Sequence, residues 1–160
     1  MARIEGEIVV GRPVDVVFDY VADQRNEPQY NPRMIRADKV TPGPVGQGTR
    51  FRSAVRSMGR DADLLIEFTG YDRPARLAST TTMRQAVITG GLTFEPVPAG
   101  TRMRWSWQVR PTGAVKLLAP VIAWAGRRQE RAIWAGMKQH LEAAQAAPGA
   151  RDTAAGSAPR

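Results

Sequence analysis

Residues 101–110 read TRMRWSWQVR, and the character of their side chains alternates at every second position. Successive side chains of a β-strand point to opposite faces, so Met103, Trp105 and Trp107 share one face. Arg102 and Arg104 fall on the other face. A surface that stacks the bases of a nucleic acid needs aromatic and basic side chains on the same face. The stretch therefore predicts a strand of an antiparallel sheet, with one covered apolar face and one charged face in water.

Strand-like segments also fill most of the chain before this stretch. They are rich in β-branched and aromatic residues, and short turns with Gly and Pro separate most of them. Breaks of this length join antiparallel neighbours. The candidate strands are residues 7–11, 34–40, 49–57, 62–71, 76–82 and 87–96. Together with 101–110 they predict a seven-stranded antiparallel sheet.

Two parts of the chain have helical character. Pro13 suits the first turn of a helix over 13–23, because its missing N–H costs nothing there. Residues 23–32 predict a turn with up to one more helical turn, ended by Pro32. Residues 114–146 contain few helix breakers and predict one long helix.

The apolar residues of the long helix form two stripes that do not share one face. One stripe contains Leu118, Val121, Ile122 and Ala125, and the other contains Ile133, Met137 and Leu141. A bend near Gly126 would bring both stripes onto the same partner.

Composition limits the possible classes of protein. The chain has 160 residues, a formal net charge of +8 and no cysteine, which excludes a disulfide framework and a thiolate metal site. We expect one domain over residues 1–147 and a disordered tail over 148–160, which is small, polar and rich in Pro and Gly. The N-terminus lacks a secretory signal. A cytoplasmic location is the expectation.

Residues that could carry chemistry are few. His140 is the single histidine, so a zinc site is not expected, and no metal or other cofactor is predicted. The sequence contains neither a nucleophile elbow nor a phosphate-binding glycine loop. The arginines are scattered without a run of five, which favours a solvated surface over a specific nucleic-acid site.

Several stretches together resemble a known superfamily. GEIVVGRPVDVVFDYVAD (6–23) is followed by Tyr-Asn-Pro at 30–32, and VTPGPVGQGTRFR (40–52), IEFTGYDRPARL (66–77) and LTFEPVPAGTRMRWSW (92–107) come next. With MKQHLEA near the helix end, they resemble the SRPBCC or START-like superfamily in its polyketide cyclase/dehydrase and lipid-transport branch. The likeness covers about residues 3–145.

The resemblance implies an α+β helix-grip fold. In that fold a curved seven-stranded antiparallel sheet wraps around a long C-terminal helix, with short helices between strands 1 and 2. It also implies a cavity between sheet and helix that holds a small hydrophobic or aromatic ligand, lipid or polyketide-like. Strand parity, helical position and, for Tyr30, Met34 and Met83, the size and character of the side chain assign the following residues to its lining: Tyr30, Met34, Phe51, Ser53, Val55, Ile66, Phe68, Met83, Ile88, Leu92, Phe94, Met103, Trp105, Trp107, Ile122, Gln129, Ile133 and Met137.

Two alternatives stay open beside ligand binding. A polyketide cyclase or dehydratase would use the same cavity, and the resemblance makes its candidate polar groups Tyr30, Ser53, Gln129 and His140. A basic module for a membrane surface or a nucleic acid is suggested by the net charge and by residues 114–128. No specific nucleic-acid partner is predicted, whereas contact with a membrane surface and the oligomeric state are left open.

Overall fold

The computed structural model describes residues 1–146, and these form a sheet with helices on one face. The strands are β1 (Ala2–Val10), β2 (Met34–Lys39), β3 (Arg50–Ser57), β4 (Arg60–Asp72), β5 (Arg76–Met83), β6 (Ala86–Val97) and β7 (Gly100–Pro111). The helices are α1 (Val14–Ala22), a first 3₁₀ helix (Gln24–Gln29), a second 3₁₀ helix (Gly113–Leu118) and α2 (Ala119–Ala146). The predicted tail at 148–160 lies outside the described residues, as does residue 147.

All seven strands form one antiparallel sheet in the order β1-β7-β6-β5-β4-β3-β2. Consecutive strands from β2 to β7 are neighbours, and β1 pairs with β7 from Ala2, opposite Val109, to Val10, opposite Thr101. β1 therefore begins five residues before the predicted strand at 7–11. Its early part pairs fully because Ala2 and Ile4 are buried on the inner face.

The burial of β7 follows the alternation expected from its sequence. Met103 and Trp105 are buried, whereas Arg104 on the other face is exposed and pairs with Glu7 at 2.9 Å and Glu95 at 3.4 Å. The outer face of the sheet is therefore a wet surface with ion pairs across neighbouring strands.

Helix α1 covers the inner face at one end of the sheet. Its Phe18 is fully buried and packs edge-on against Tyr71 of β4 and Phe94 of β6, with ring centroids 5.2 Å and 5.1 Å away. Pro13 is the N-cap residue, so the helix begins at Val14, one residue later than predicted. We call this region the closed end of the sheet.

The C-terminal part of α2 is tied to the segment where β1 leads into α1. The backbone N–H of Gly11 donates to Glu142 at 2.8 Å, and Lys138 donates to the backbone oxygen of Val9 at 2.7 Å. Arg12 donates to the backbone oxygen of Leu141 at 2.8 Å. These bonds fix the end of the helix against the first strand.

Two glycines allow α2 to approach its neighbours closely. A Cβ on Gly136 would lie 2.8 Å from the backbone oxygen of Tyr30, and a Cβ on Gly126 would overlap the Cδ1 atom of Ile4. Since Gly126 meets Ile4 and Glu142 meets Gly11, the helix runs along β1 in the same direction. Its N-terminal half therefore lies over the start of β1.

The first apolar stripe of α2 does not face the sheet as predicted. Leu118, Val121 and Ala125 are exposed, and Ile122 is the member of that stripe that packs partly against the core. No bend near Gly126 is needed, because Ile122 shares the inner side of the helix with Ile133 and Met137 while the other members of its stripe face outward.

Candidate functional site

The interior between sheet and α2 is densely packed at the closed end. Phe51, Phe68, Met103 and Met137 have no exposed surface or almost none. Phe51 and Phe68 also pack ring against ring, with centroids 5.5 Å apart. This end of the interior is therefore hydrophobic core.

The opposite end of the inner face is only partly covered. We define the open end by five apolar side chains that pack against the core and keep some exposed surface: Val55, Met83, Ile88, Trp107 and Ile122. Ile88 is in register with Val109, which in turn faces Ala2 at the start of β1. The open end thus lies at the same end of the sheet as the N-terminal half of α2.

Two buried polar atoms on the inner face have no hydrogen-bond partner within the described residues. They are the hydroxyl oxygen of Ser53, on a fully buried side chain, and the indole nitrogen of Trp105, whose residue is 3% exposed. Ser53 faces Leu64, which faces Met83 at the open end. A buried polar group without a partner costs roughly 1–3 kcal/mol, so such groups call for an explanation.

One carboxylate joins the sheet to α2. A single oxygen of Glu130 accepts hydrogen bonds from the indole nitrogens of Trp107 at 3.0 Å and Trp134 at 2.9 Å. Desolvation raises the pKa of Glu130, while the two hydrogen bonds oppose that rise. Trp134 also contacts Trp105, with ring centroids 6.2 Å apart. Glu130 therefore sits inside an aromatic cluster that reaches the unpartnered indole of Trp105.

A second carboxylate lies near this cluster on the first 3₁₀ helix. Asn31 donates a hydrogen bond to Glu27 at 2.7 Å. Desolvation raises the pKa of Glu27 to about 7; the bond from Asn31 opposes the rise and the negative Glu130 adds to it. Burial, with a further contribution from Glu27, also raises the pKa of Tyr30. Glu27 can therefore hold or release a proton near neutral pH.

Most of the residues predicted to line a cavity belong to the buried core of the described chain. The fully or nearly fully buried ones are Tyr30, Met34, Phe51, Ser53, Ile66, Phe68, Leu92, Phe94, Met103, Trp105, Ile133 and Met137. The partly buried ones are Val55, Met83, Ile88, Trp107, Ile122 and Gln129. Contact of any of them with a ligand stays a prediction.

Two polar candidates lie away from the interior. Gln129 accepts a hydrogen bond from the exposed Arg33 at 2.6 Å. His140 is exposed and stacks on Tyr20, with ring centroids 5.6 Å apart. Both side chains lie outside the interior. Glu130, with its surrounding tryptophans, is therefore the better candidate for acid–base chemistry.

Sequence reasoning missed Glu27, Glu130 and Trp134. Glu130 and Trp134 are four residues apart on α2, and Trp134 adjoins the inward-facing Ile133. That spacing was the available signal that the carboxylate shares the inner face of the helix. Glu27 was missed because its burial and its neighbour Glu130, distant in the sequence, arise only from the fold.

Open depressions are present on other parts of the surface. One of about 440 Å³ involves Glu7, Gly91 and Arg104, and one of about 600 Å³ involves Val87, Arg110 and Lys116. Neither lies between the sheet and α2. Within residues 1–146, no group of side chains is arranged to hold a metal ion, and no helix is long and apolar enough to cross a membrane.

The architecture and the inward-facing aromatic cluster define a helix-grip protein of the START type. The model of the family described as polyketide cyclase / dehydrase and lipid transport matches residues 1–142, so the chain belongs to that family. No curated protein matches the chain.

Solved structures share the fold at low sequence identity. A START superfamily protein from Mycobacterium smegmatis is 12% identical with a TM-score of 0.78, covering 89% of this chain and 98% of its own. The protein TTHA0849 from Thermus thermophilus is 18% identical with a TM-score of 0.77, with the same coverage of 89% and 98%.

A third structure is the di-domain ARO/CYC protein BexL from the BE-7585A biosynthetic pathway. It is 24% identical with a TM-score of 0.72, and the match covers 89% of this chain and 47% of BexL. The present chain therefore spans about half of that protein. These likenesses establish the fold.

The raised pKa of Glu27 predicts a pH-dependent effect of Glu27→Gln. Since the folded protein holds this proton up to about pH 7, against an ordinary value of 4.5, stability falls as the pH rises through that interval. Glu27→Gln removes the penalty and still accepts from Asn31. Since a pKa rise from 4.5 to about 7 corresponds to roughly 3 kcal/mol at pH 8, we expect its melting temperature to match the wild type at pH 4.5 and to exceed it by roughly 6–12 °C at pH 8.

Thermal unfolding followed by circular dichroism between pH 4.5 and 8 measures this difference. Glu95→Gln, on the exposed outer face, is the matched control and should show no such increase with pH. A Glu27→Gln difference that is constant or shrinks as the pH rises would refute the assignment.

Proposed function

We propose that the protein binds a small hydrophobic or aromatic ligand between the sheet and α2, at the open end. The observation that carries the proposal is the presence of unpartnered polar atoms, Ser53 Oγ and Trp105 Nε1, on an otherwise apolar inner face. Small-molecule sites combine apolar walls with a few polar groups that orient the ligand. A polar atom of a bound ligand could satisfy either group.

The incomplete burial of the open end supports the same position. Met83, Ile88 and Trp107 keep exposed surface although they face inward, while Leu64 and Val109 of the same end are buried. Family membership supports the class of ligand, since the family description covers both polyketide cyclases and lipid transport. The ARO/CYC assignment of BexL supports an aromatic or polyketide-like compound over other apolar ones.

Entry of the ligand requires the N-terminal half of α2 to move away from the sheet. Before Gln129 that half carries few restraints: Gly126 lies against Ile4, Ile122 and Ala123 pack partly against the core, and Arg127 reaches the backbone oxygen of Arg3 at 3.4 Å. The C-terminal half holds the buried side chains Ile133, Trp134, Met137 and Leu141. Opening about the fixed end would expose the Ser53 row of the sheet without unfolding the closed end.

A pair of phenylalanine substitutions tests this site. Val55→Phe fills the open end, whereas Leu65→Phe adds the same group to the exposed outer face of the adjacent strand. We expect Val55→Phe to weaken binding of 1-anilinonaphthalene-8-sulfonate about tenfold, because one packed ring removes the apolar contact area of the probe. Leu65→Phe should bind like the wild type, as measured by fluorescence titration.

Ser53→Ala measures the cost of the unpartnered hydroxyl to the stability of the ligand-free protein. Because Oγ has no partner, its removal should keep the unfolding free energy or raise it by up to about 1 kcal/mol. Mass spectrometry of solvent extracts then identifies any compound that the purified wild type retains. Equal probe binding by both phenylalanine variants, together with empty extracts, would contradict ligand binding at the open end.

We propose acid–base catalysis of the cyclase or dehydratase type as the second candidate function. The specific observation in its favour is the pair Glu27 and Glu130, whose pKa values are both raised by desolvation. A carboxyl group whose pKa lies near the working pH is suited to taking and returning a proton. The indoles that donate to Glu130 hold its carboxylate in one position beside the interior.

Glu130→Gln distinguishes an enzyme from a carrier. With a poly-β-ketone substrate, an enzyme that uses this carboxylate should lose at least about a hundredfold in turnover. Binding of the apolar probe should fall far less, because the side chain keeps its shape. Glu95→Gln is the control. Full turnover by Glu130→Gln would exclude this carboxylate as the acid–base group.

A further inference from the structure

An apolar ledge projects from the second 3₁₀ helix and the first turns of α2. It consists of Leu117, Leu118, Val121 and Trp124, which are 88%, 55%, 61% and 65% exposed. Val121 and Trp124 are three positions apart in α2 and so share one face of that helix, and Leu117 and Leu118 end the 3₁₀ helix that leads into it. A contiguous exposed patch of this kind marks an interaction surface, whereas single exposed apolar residues do not.

Trp124 differs in exposure from the other tryptophans of the chain. Trp105, Trp107 and Trp134 all lie within the described residues, and each is buried or partly buried on the inner side. Their indoles take part in the aromatic cluster around Glu130. Trp124 therefore serves neither the core nor the proposed ligand site.

Unpaired positive charge surrounds the ledge. Lys116 precedes it, Arg127, Arg128 and Arg131 follow it, and all four side chains are exposed. None of them takes part in an ion pair among the described residues. The one carboxylate between positions 113 and 131 is Glu130, which is directed to Trp107 and Trp134. The outward face of this segment is consequently apolar and cationic together.

We propose that the ledge docks on the surface of an anionic membrane. Tryptophan prefers the boundary between headgroups and acyl chains, where leucine and valine can enter the apolar layer. Each Lys or Arg beside an anionic lipid surface adds about 1 kcal/mol of attraction. The helix lies along the surface and does not cross the bilayer.

Charge argues against a second copy of the chain as the occupant. In a two-fold symmetric contact the same patch meets itself, so Lys116, Arg127, Arg128 and Arg131 would face identical cations. Like charges across an interface are unfavourable. An anionic lipid surface satisfies the apolar side chains and the cations together.

The ledge lies close to the open end, so its docking would affect the exchange of ligand with the membrane. Thr112, which precedes the second 3₁₀ helix, donates its backbone N–H to the backbone oxygen of Gln85 between β5 and β6, next to Met83 of the open end. Docking would place the open end close to the bilayer. The docking itself does not require a bound ligand, so the two proposals fail separately.

Vesicle binding tests the docking proposal. The full chain is sedimented with vesicles of phosphatidylcholine and phosphatidylglycerol at 3:1, and with phosphatidylcholine alone. We expect binding to the anionic vesicles at least about tenfold tighter than to the neutral ones, and weaker binding as salt is added. Brominated lipids should quench the Trp124 emission, and Trp124→Phe should lose that quenching.

Matched variants locate the surface. Arg127→Gln/Arg128→Gln and Trp124→Ala should each reduce affinity for the anionic vesicles by about tenfold. Arg52→Gln/Arg60→Gln removes the same charge from exposed positions on β3 and β4, and should bind within about twofold of the wild type. Unchanged melting temperatures confirm that each variant is folded.

Three results would overturn the proposal. The first is equal binding to neutral and anionic vesicles, and the second is an equal loss in the Arg52/Arg60 control. The third is a concentration-dependent dimer in sedimentation velocity that Trp124→Ala abolishes while vesicle binding is absent, which would assign the ledge to self-association.

Discussion

The position of α2 over the sheet depends on the bonds between its last turns and the segment that joins β1 to α1. Backbone groups of Val9, Gly11 and Leu141 take part in these bonds, so they constrain the chain path directly. The bond from Gly11, with Lys138 nearby, also lowers the pKa of Glu142 and keeps that carboxylate charged. The helix is thereby anchored at its C-terminal end beside β1.

Anchoring at one end makes the two halves of the interior unequal. The closed end combines the fixed turns of α2 with α1 and its buried Phe18, and it has the packing of an ordinary core. The other end is covered by a half-helix with few inward side chains. Local opening is least costly where few apolar contacts are lost, which places mobility at the open end. Glu130, bonded to Trp107 and Trp134, marks the boundary between these halves.

Much of the fold could be predicted because strand alternation and helix breakers are local signals. The two faces of β7 follow from a period of two, and Pro13 marks the start of α1. Periodicity could not decide which apolar face of α2 meets the sheet, and the stripe containing Val121 turned out to be exposed. The start of β1 was missed although Ala2 and Ile4 alternate with Arg3 and Glu5 at the period of a strand.

The candidate site was harder to predict than the fold. Met103 and Trp105 were assigned to the inner face correctly, since alternation fixes the side of the sheet. Alternation does not tell core from ligand contact, however, because that depends on how far α2 lies from each strand. In the sequence, Glu130 looks like any surface carboxylate of a helix, because its partner Trp107 on β7 is brought to it only by the fold.

Hydrogen exchange along α2 tests the unequal anchoring most directly. Amides of residues 122–129 should exchange at least about tenfold faster than those of residues 133–141, because the first group opens locally while the second opens with the core. A bound apolar ligand should slow exchange in the first group. Equal protection along the whole helix, unchanged by a bound ligand, would contradict the account.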